Sequence, residues 1–594
     1  MNDDGNESPK KQNPNQPQPA WGSDLIAEMM RALGLRYIAL NPGSSYRGLH
    51  DSLVNHLGDK RPQILLCLHE EHAVSIAHGW AKVTGEPMAV ALHANVGLMH
   101  ASMAIYNAWC DRVPIMVFGA AGPYDASLRR PWIDWIHTSR DQAAIVRPYT
   151  KWDDQPMSIA ASLESMNRAS VIARTAPMGP VYVAFDVTVQ EQPLALTAGH
   201  DDAIPSPARY ELPAEAEPNS ASLKTVVTFM RDARSPLILM GRVSRDPSDW
   251  ARRVALAEAF DAKVITDIKT GASFPTNHAL HVGDPGYFLS HASIEALKVA
   301  DCVISFDWID LAGTLRQAGR HRDAPKVVQV SLDHQLTNGW SFDHQALAPA
   351  DLHIAAMPDT VVAALVAHIG APIGLPPPDK TTNPVCTQAD PSSALDPETF
   401  AAALGAGLEN EIVSFVRLPL GWLGGSWHFK HPLDYLGCDG GAGIGAGPGM
   451  LVGAALAMRE GARLPIAVLG DGDFMMGVSA LWTGAHNKVP FLIVVANNQS
   501  FFNDEIHQGK IAQQRNRPIE NKWIGQRIAE PDIDIAGIAQ AQGLIGIGPV
   551  ATAKTLTDAV LEGVARAKAG ASVVIDARVL GGYGASMSKG MTKA

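Results

Sequence analysis

The strongest chemical signal in this 594-residue sequence is a pair of oxygen-bearing side chains placed where two strands should end. Residues 465–508 read PIAVLGDGDFMMGVSALWTGAHNKVPFLIVVANNQSFFNDEIHQ. One apolar run stops at Gly470-Asp471-Gly472, a helical stretch follows over Ser479–Lys488, and a second apolar run stops at Asn497-Asn498. Asp471 and Asn498 are 27 positions apart, the length of one strand–helix–strand unit. Both should therefore leave the carboxyl ends of parallel strands, where ligands of open α/β sheets bind. A carboxylate and an amide oxygen form a hard donor pair, suited to Mg²⁺ shared with a diphosphate and poorly suited to zinc. The glycines around Asp471 let backbone come close to a ligand. Either end alone would read as an ordinary turn; the two together at this spacing favour a metal.

The elements that must position such a pair are legible as three blocks of alternating strand and helix. Short apolar runs at Tyr37–Leu40, Ile64–Leu68, Met88–Leu92 and Ile115–Phe118 alternate with Ala-rich segments of helical period in the first block, 21–195. The second block, 221–370, repeats the pattern with Pro236–Met240, Ala262–Thr266, Cys302–Phe306 and Val327–Val330. The third, 396–582, has Ala467–Leu469 and Leu492–Val495 as its clearest strands. Such alternation predicts α/β architecture with three doubly wound parallel-sheet domains. Pro-rich passages at 205–220 and 371–395 read as linkers. The Asn/Gln/Pro-biased residues 1–20 and the Gly/Ser-rich residues 583–594 read as flexible tails.

Composition removes several function classes. Lys plus Arg is 48 and Asp plus Glu is 60, a net charge of −12 without a basic run, so nucleic acid is not an expected partner. Five scattered cysteines (Cys67, Cys110, Cys302, Cys386, Cys438) without C-x-x-C spacing fit neither a disulfide framework nor a cysteine zinc site, and suit a reducing cytoplasm. The most apolar stretch, 87–109, is interrupted by His93, Asn95, His100 and Asn107, which argues against a membrane span. The N-terminus lacks a signal-peptide core. Gly441–Ala446 satisfies a loose dinucleotide fingerprint, but the preceding HPLDYLGCD is a poor strand, so NAD is disfavoured.

GDG, 24 residues, then NN resembles the cofactor motif of thiamine-diphosphate-dependent enzymes. The resemblance implies that Asp471, Asn498 and the Ser500 carbonyl hold Mg²⁺, with Gly472 and Asp473 offering backbone contacts to the diphosphate. HEEHAVSIAHGWAKVTG, from His69, is similar to the partner motif and implies Glu70 as the acid that hydrogen-bonds the aminopyrimidine ring; a slip of one position would give the role to Glu71. That acid shares its proton with the ring and so activates the cofactor. GGAGIGAGPGMLVGAALA, from Gly440, looks like the family's glycine-rich turn, with Gly443 and Ile444 against the cofactor and Ile444 as its apolar prop.

The resemblance spans about residues 21–580, in the order pyrimidine-binding, middle Rossmann-like and diphosphate-binding domain. Asn41-Pro42-Gly43-Ser44 and Leu92-His93-Ala94 are more similar to benzoylformate decarboxylase than to acetolactate synthase. This implies Ser44 at a substrate-carboxylate position and His93 at a proton-transfer position. In the bland reading these are a helix-cap serine and a hydrogen-bonded core histidine. The activity implied is non-oxidative decarboxylation of a 2-oxo acid through an enamine. An acetolactate-synthase-like carboligase is the alternative, and a catalytically silent cofactor-binding subunit is the reading from another class. No residue of the middle block supports FAD. A homodimer or homotetramer with active sites between subunits is implied. Two stretches depart from the family pattern: Gln499–Glu505 with the insertion-like RNRPIENKWIGQRI, a potential lid, and the Arg/Trp-rich residues 129–137, which fit a substrate contact or a subunit interface equally.

Overall fold

The computed structural model describes residues 18–196, 204–333, 347–374 and 389–582. The expected tails at 1–20 and 583–594 and the 371–395 linker lie wholly or mostly outside these residues. The expected 205–220 linker is largely irregular until Ser220 opens a helix that runs to Asp232.

Three sheets form, and their strand pairings are all parallel. The first contains β1 (Tyr37–Leu40), β2 (Gln63–Leu66), β3 (Met88–Leu92), β4 (Ile115–Ala121), β5 (Asp153–Asp154) and β6 (Val181–Asp186), in the order β2-β1-β3-β4-β6-β5. The second contains β7 (Pro236–Met240), β8 (Lys263–Ile265), β9 (Cys302–Phe306), β10 (Lys326–Val330) and β11 (Leu352–Ile354), in the order β11-β10-β9-β7-β8. The third contains β12 (Val413–Arg417), β13 (Leu464–Gly470), β14 (Phe491–Asn497), β15 (Ile545–Val550) and β16 (Ser572–Arg578), in the order β12-β13-β14-β16-β15.

Continuous apolar strands follow from burial on both faces. In β13 and β14, Ile466, Val468, Leu492 and Val494 enter one core, while Ala467, Leu469, Ile493 and Val495 enter another. The second of these cores is shared with the first sheet, since it also contains Ala39, Val74, Trp80 and Val90. The joint is made by two helices, Glu70–Thr84 and Gly447–Met458. A Cβ at Gly79 would fall on the Met450 carbonyl, and one at Gly453 on the Ile76 carbonyl. Glycine therefore sets how closely the first and third domains approach, which brings the amino end of the Glu70 helix near the Gly-Asp-Gly turn.

Candidate active site

The Gly-Asp-Gly end of the candidate site is built from the exits of two adjacent strands. β13 and β14 run in register with Gly470 opposite Ala496, so Asp471 and Asn498 emerge side by side. Gln499 adopts φ +55, a left-handed kink that turns the next amide back toward the sheet. The Ser500 N–H then donates to Asp471 Oδ2 at 3.1 Å and to Asn498 Oδ1 at 3.1 Å. Asp471 Oδ1 accepts from the Gly472 N–H at 2.9 Å. Burial pushes the Asp471 carboxyl up to about 6, against the lowering pull of its backbone amide donors. A buried carboxylate beside an amide oxygen, with no basic side chain among its hydrogen-bond donors, is a donor set that a hard cation would complete. Gly472 is pressed by the Phe501 ring, whose Cε1 is 2.5 Å from where a Cβ would stand.

Asp473 takes a role that motif reading alone does not disclose. Its Oδ1 accepts from the Gly445 N–H at 2.7 Å, and its Oδ2 lies 3.4 Å from Arg417 Nε. Its side chain thus anchors the glycine-rich turn. Arg417, the last residue of β12, also pairs with Asp439 at 3.1 Å and contacts Cys438 Sγ at 2.8 Å. An arginine at a buried strand end was the available sequence signal. The turn itself carries positive φ at Gly440, Ala442 and Gly445. Its glycines are crowded by protein: a Cβ at Gly441 would meet Asn107 and Tyr106, and one at Gly443 would meet Met103. Among the described residues no strand leads directly into it, since residues 418–446 hold only the isolated bridge of Tyr435 to Phe415, so the dinucleotide fingerprint lacks its required setting. Ile444 is 38% exposed at the tip of this turn, where an apolar side chain has something left to cover.

The other end lies at the carboxyl edge of the first sheet. β1 and β3 are neighbours although β2 intervenes in sequence, which makes a topological switch point. Around it stand Ser44 and Ser45 after β1, Glu70 after β2 and His93 after β3. Glu70 is the buried first residue of its helix, and Glu70 Oε2 lies 3.0 Å from His100 Nδ1. His69 caps the helix, its Nδ1 accepting from the Glu71 N–H at 3.2 Å. Gly97, one turn into the next helix, lets Glu70 and His93 approach closely: a Cβ there would stand 3.1 Å from Glu70 Oε1 and 3.4 Å from His93 Cβ, tighter than ordinary contact. Glu71 faces the other way, its carboxyl raised by burial and by the charge of Asp473. Glu70 and Glu71 are thus divided between two environments.

Ser44 sits exposed on its turn, and it is Ser45 that meets His93, with Ser45 Oγ 2.9 Å from His93 Nδ1. The motif alignment missed Ser45 because the two serines are adjacent and only the turn geometry selects between them. It also missed His137, whose ring stands edge-on to His93 with centroids 4.9 Å apart. The 129–137 stretch therefore reaches the site, while its Trp132 and Trp135 point outward, 67% and 64% exposed. The insertion-like residues 515–528 follow a helix, Phe502–Gln514, and return to the strand end at Ser500: Phe501 N–H donates to the Gln526 carbonyl at 2.9 Å and Ile528 N–H to the Gln499 carbonyl at 2.7 Å.

Comparison with known families decides what this constellation belongs to. Residues 20–145 match the thiamine pyrophosphate enzyme N-terminal TPP binding domain, 223–365 the central domain, and 420–577 the C-terminal TPP binding domain. The chain is a thiamine pyrophosphate enzyme. Within this family it is 25% identical over 492 residues to a benzoylformate decarboxylase of Pseudomonas aeruginosa, covering 80% of this chain and 85% of that one. It is 26% identical over 289 residues to the acetolactate synthase large subunit of Lactococcus lactis, 48% of each chain, so that match spans about half of the relative. A thiamine diphosphate-dependent 4-hydroxybenzoylformate decarboxylase of Rhodococcus jostii shares the fold, with a TM-score of 0.73 at 22% identity over 95% of this chain and all of that one. Among the described residues, no helix is long and apolar enough to cross a membrane.

Proposed function

We propose that this thiamine pyrophosphate enzyme decarboxylates a 2-oxo acid and releases the product as an aldehyde. The observation that carries the reading is the close approach of Glu70 and His93: both lie against Gly97, and the Glu70 carboxylate acts on the His93 imidazole, raising it against the lowering effect of burial. When bound, thiamine diphosphate supplies the nucleophilic carbon and the electron sink that loss of CO₂ requires. Asp471, Asn498 and the Ser500 carbonyl would hold Mg²⁺, whose hard-oxygen preference matches them. Gly472, Asp473 and Gly443 would line the diphosphate end, and Ile444 would press on the cofactor body. Glu70 would hold the proton exchanged with the aminopyrimidine nitrogen, and His93 would deliver a proton to the product carbon. Ser44, on the turn beside Ser45, would face the substrate carboxylate. The decarboxylase names among the relatives support this reading, and the acetolactate synthase name keeps carboligation as its competitor. The family resemblance further implies that Glu70 serves a neighbouring subunit's diphosphate domain, so a homodimer is the smallest complete assembly.

A panel of aliphatic and aryl 2-oxo acids, with thiamine diphosphate and Mg²⁺, tests this. CO₂ release with an aldehyde product is expected. CO₂ release with a ligated hydroxyketone would replace decarboxylase with carboligase. No CO₂ with Mg²⁺-dependent cofactor binding retained by calorimetry would reduce the chain to a catalytically silent cofactor-binding subunit.

A further inference from the structure

Residues 125–138 form a strap running from the end of β4 across the switch point, and it is held in three ways. Asp134 is buried and accepts from Arg130, through the backbone N–H at 2.8 Å and Nη2 at 2.8 Å. Asn95 Nδ2, two residues after His93, donates to the Ile136 carbonyl at 3.1 Å. Thr138 Oγ1 donates to the Asp134 carbonyl. The consequence is the edge-to-face seat of His137 on His93, at 4.9 Å and 86°.

On its other side His93 meets Ser45. The Ala94 N–H donates to Ser45 Oγ at 3.2 Å, so one lone pair of that oxygen is occupied and its hydroxyl proton is free to point at His93 Nδ1, 2.9 Å away. A hydroxyl donating to Nδ1 leaves the proton of a neutral imidazole on Nε2.

We propose that Ser45 and His137 are positioning residues for His93: Ser45 fixes the Nε2–H tautomer and His137 opposes a second proton on the ring, so that His93 works as a neutral donor through Nε2. This rests on the reading of His93 as the proton-transfer group. The groups facing His93 are Ser45 after β1, Glu70 at the start of its helix, and His137 and Arg130 on the strap. Burial lowers the His93 imidazole first, His137 lowers it further, Glu70 raises it and Arg130 lowers it. Loss of the Nε2 proton to a developing carbanion leaves the ring as an imidazolate, stabilised by the Ser45 hydroxyl donating to Nδ1, and solvent then returns a proton to Nε2.

The test is the titration of His93 itself, read in the cofactor-loaded enzyme by histidine C2–H exchange and peptide mass spectrometry across pH. H137F keeps the ring's bulk and removes its two nitrogens, and H137Q serves if the phenyl variant does not fold. Each should raise the His93 midpoint. S45A should raise it too, and S45T, which restores the hydroxyl, should return it toward the parent. A midpoint unmoved in both the His137 and the Ser45 variants overturns the proposal. That outcome is separable from failure of the decarboxylase reading, which appears as absent turnover in the parent with the His93 titration still responding to these substitutions.

Discussion

Asp471 and Asn498 meet at a single proton: the Ser500 N–H reaches Asp471 Oδ2 and Asn498 Oδ1 at 3.1 Å each, so the two oxygens are no farther apart than those two distances combined. Residues from separate strand ends are thereby joined into one donor cluster before any cation arrives.

Removing either oxygen should therefore weaken cofactor binding without unfolding the chain. For Asn498→Ala and Asp471→Asn we expect Mg²⁺-dependent thiamine diphosphate affinity to fall by about 100-fold, roughly 2.7 kcal/mol. Calorimetric titration with both ligands checks this; parent-like affinity would remove the pair from the metal site.

Burial holds the Asp471 carboxyl at about 6, above its ordinary 3.8. Because the folded value is raised, the cofactor-free protein is favoured while Asp471 is protonated and loses that contribution as pH rises through about 6. A cation binds the ionised form and reverses the trend. The melting-temperature gain from Mg²⁺ and thiamine diphosphate should thus grow from pH 5 to 7 and level off above. A gain that is flat or shrinking over that interval would exclude control by Asp471.

Glu70→Gln keeps shape and removes the acid. Turnover should drop by about 10²- to 10⁴-fold, the usual worth of a placed acid or base, with cofactor affinity mostly retained. Parent-like turnover would move the role to Glu71 or elsewhere.

Gly97→Ala separates stability from function at one position. Alanine is better than glycine inside a helix by about 1 kcal/mol, yet its methyl would press on Glu70 and His93. Turnover should fall about tenfold with the melting temperature unchanged or higher, as measured by steady-state kinetics beside calorimetry. Full activity would mean that the close approach of Glu70 and His93 at Gly97 has no part in the chemistry.

Gly79→Ala and Gly453→Ala place a methyl on the Met450 and Ile76 carbonyls respectively, at a helix crossing that has no slack. Each should destabilise the fold by about 3 kcal/mol or prevent soluble expression, through overpacking. An unchanged melting temperature would show that the two domains can shift apart freely.

Some of this protein was already determined by the order of its residues. Parallel strands buried on both faces must be nearly all apolar, so Tyr37–Leu40, Met88–Leu92 and Cys302–Phe306 stand out as strands with the bounds they have in the structure. The Gly-Asp-Gly and Asn-Asn ends follow because the spacing fits one crossover between neighbouring parallel strands. Strand limits drifted where burial stops short of the apolar run, as at exposed Leu68, or continues past it, as at Leu464–Gly470. Only the tertiary structure decided the rest. A sequence holds no record of which of two adjacent serines turns inward, so Ser45 was chosen by the turn after β1. The partnership of Arg417 with Asp473 and the seat of His137 on His93 join residues dozens of positions apart. Local spacing reports one strand–helix unit at a time; directions of side chains from different units are fixed only when their sheets and helices pack.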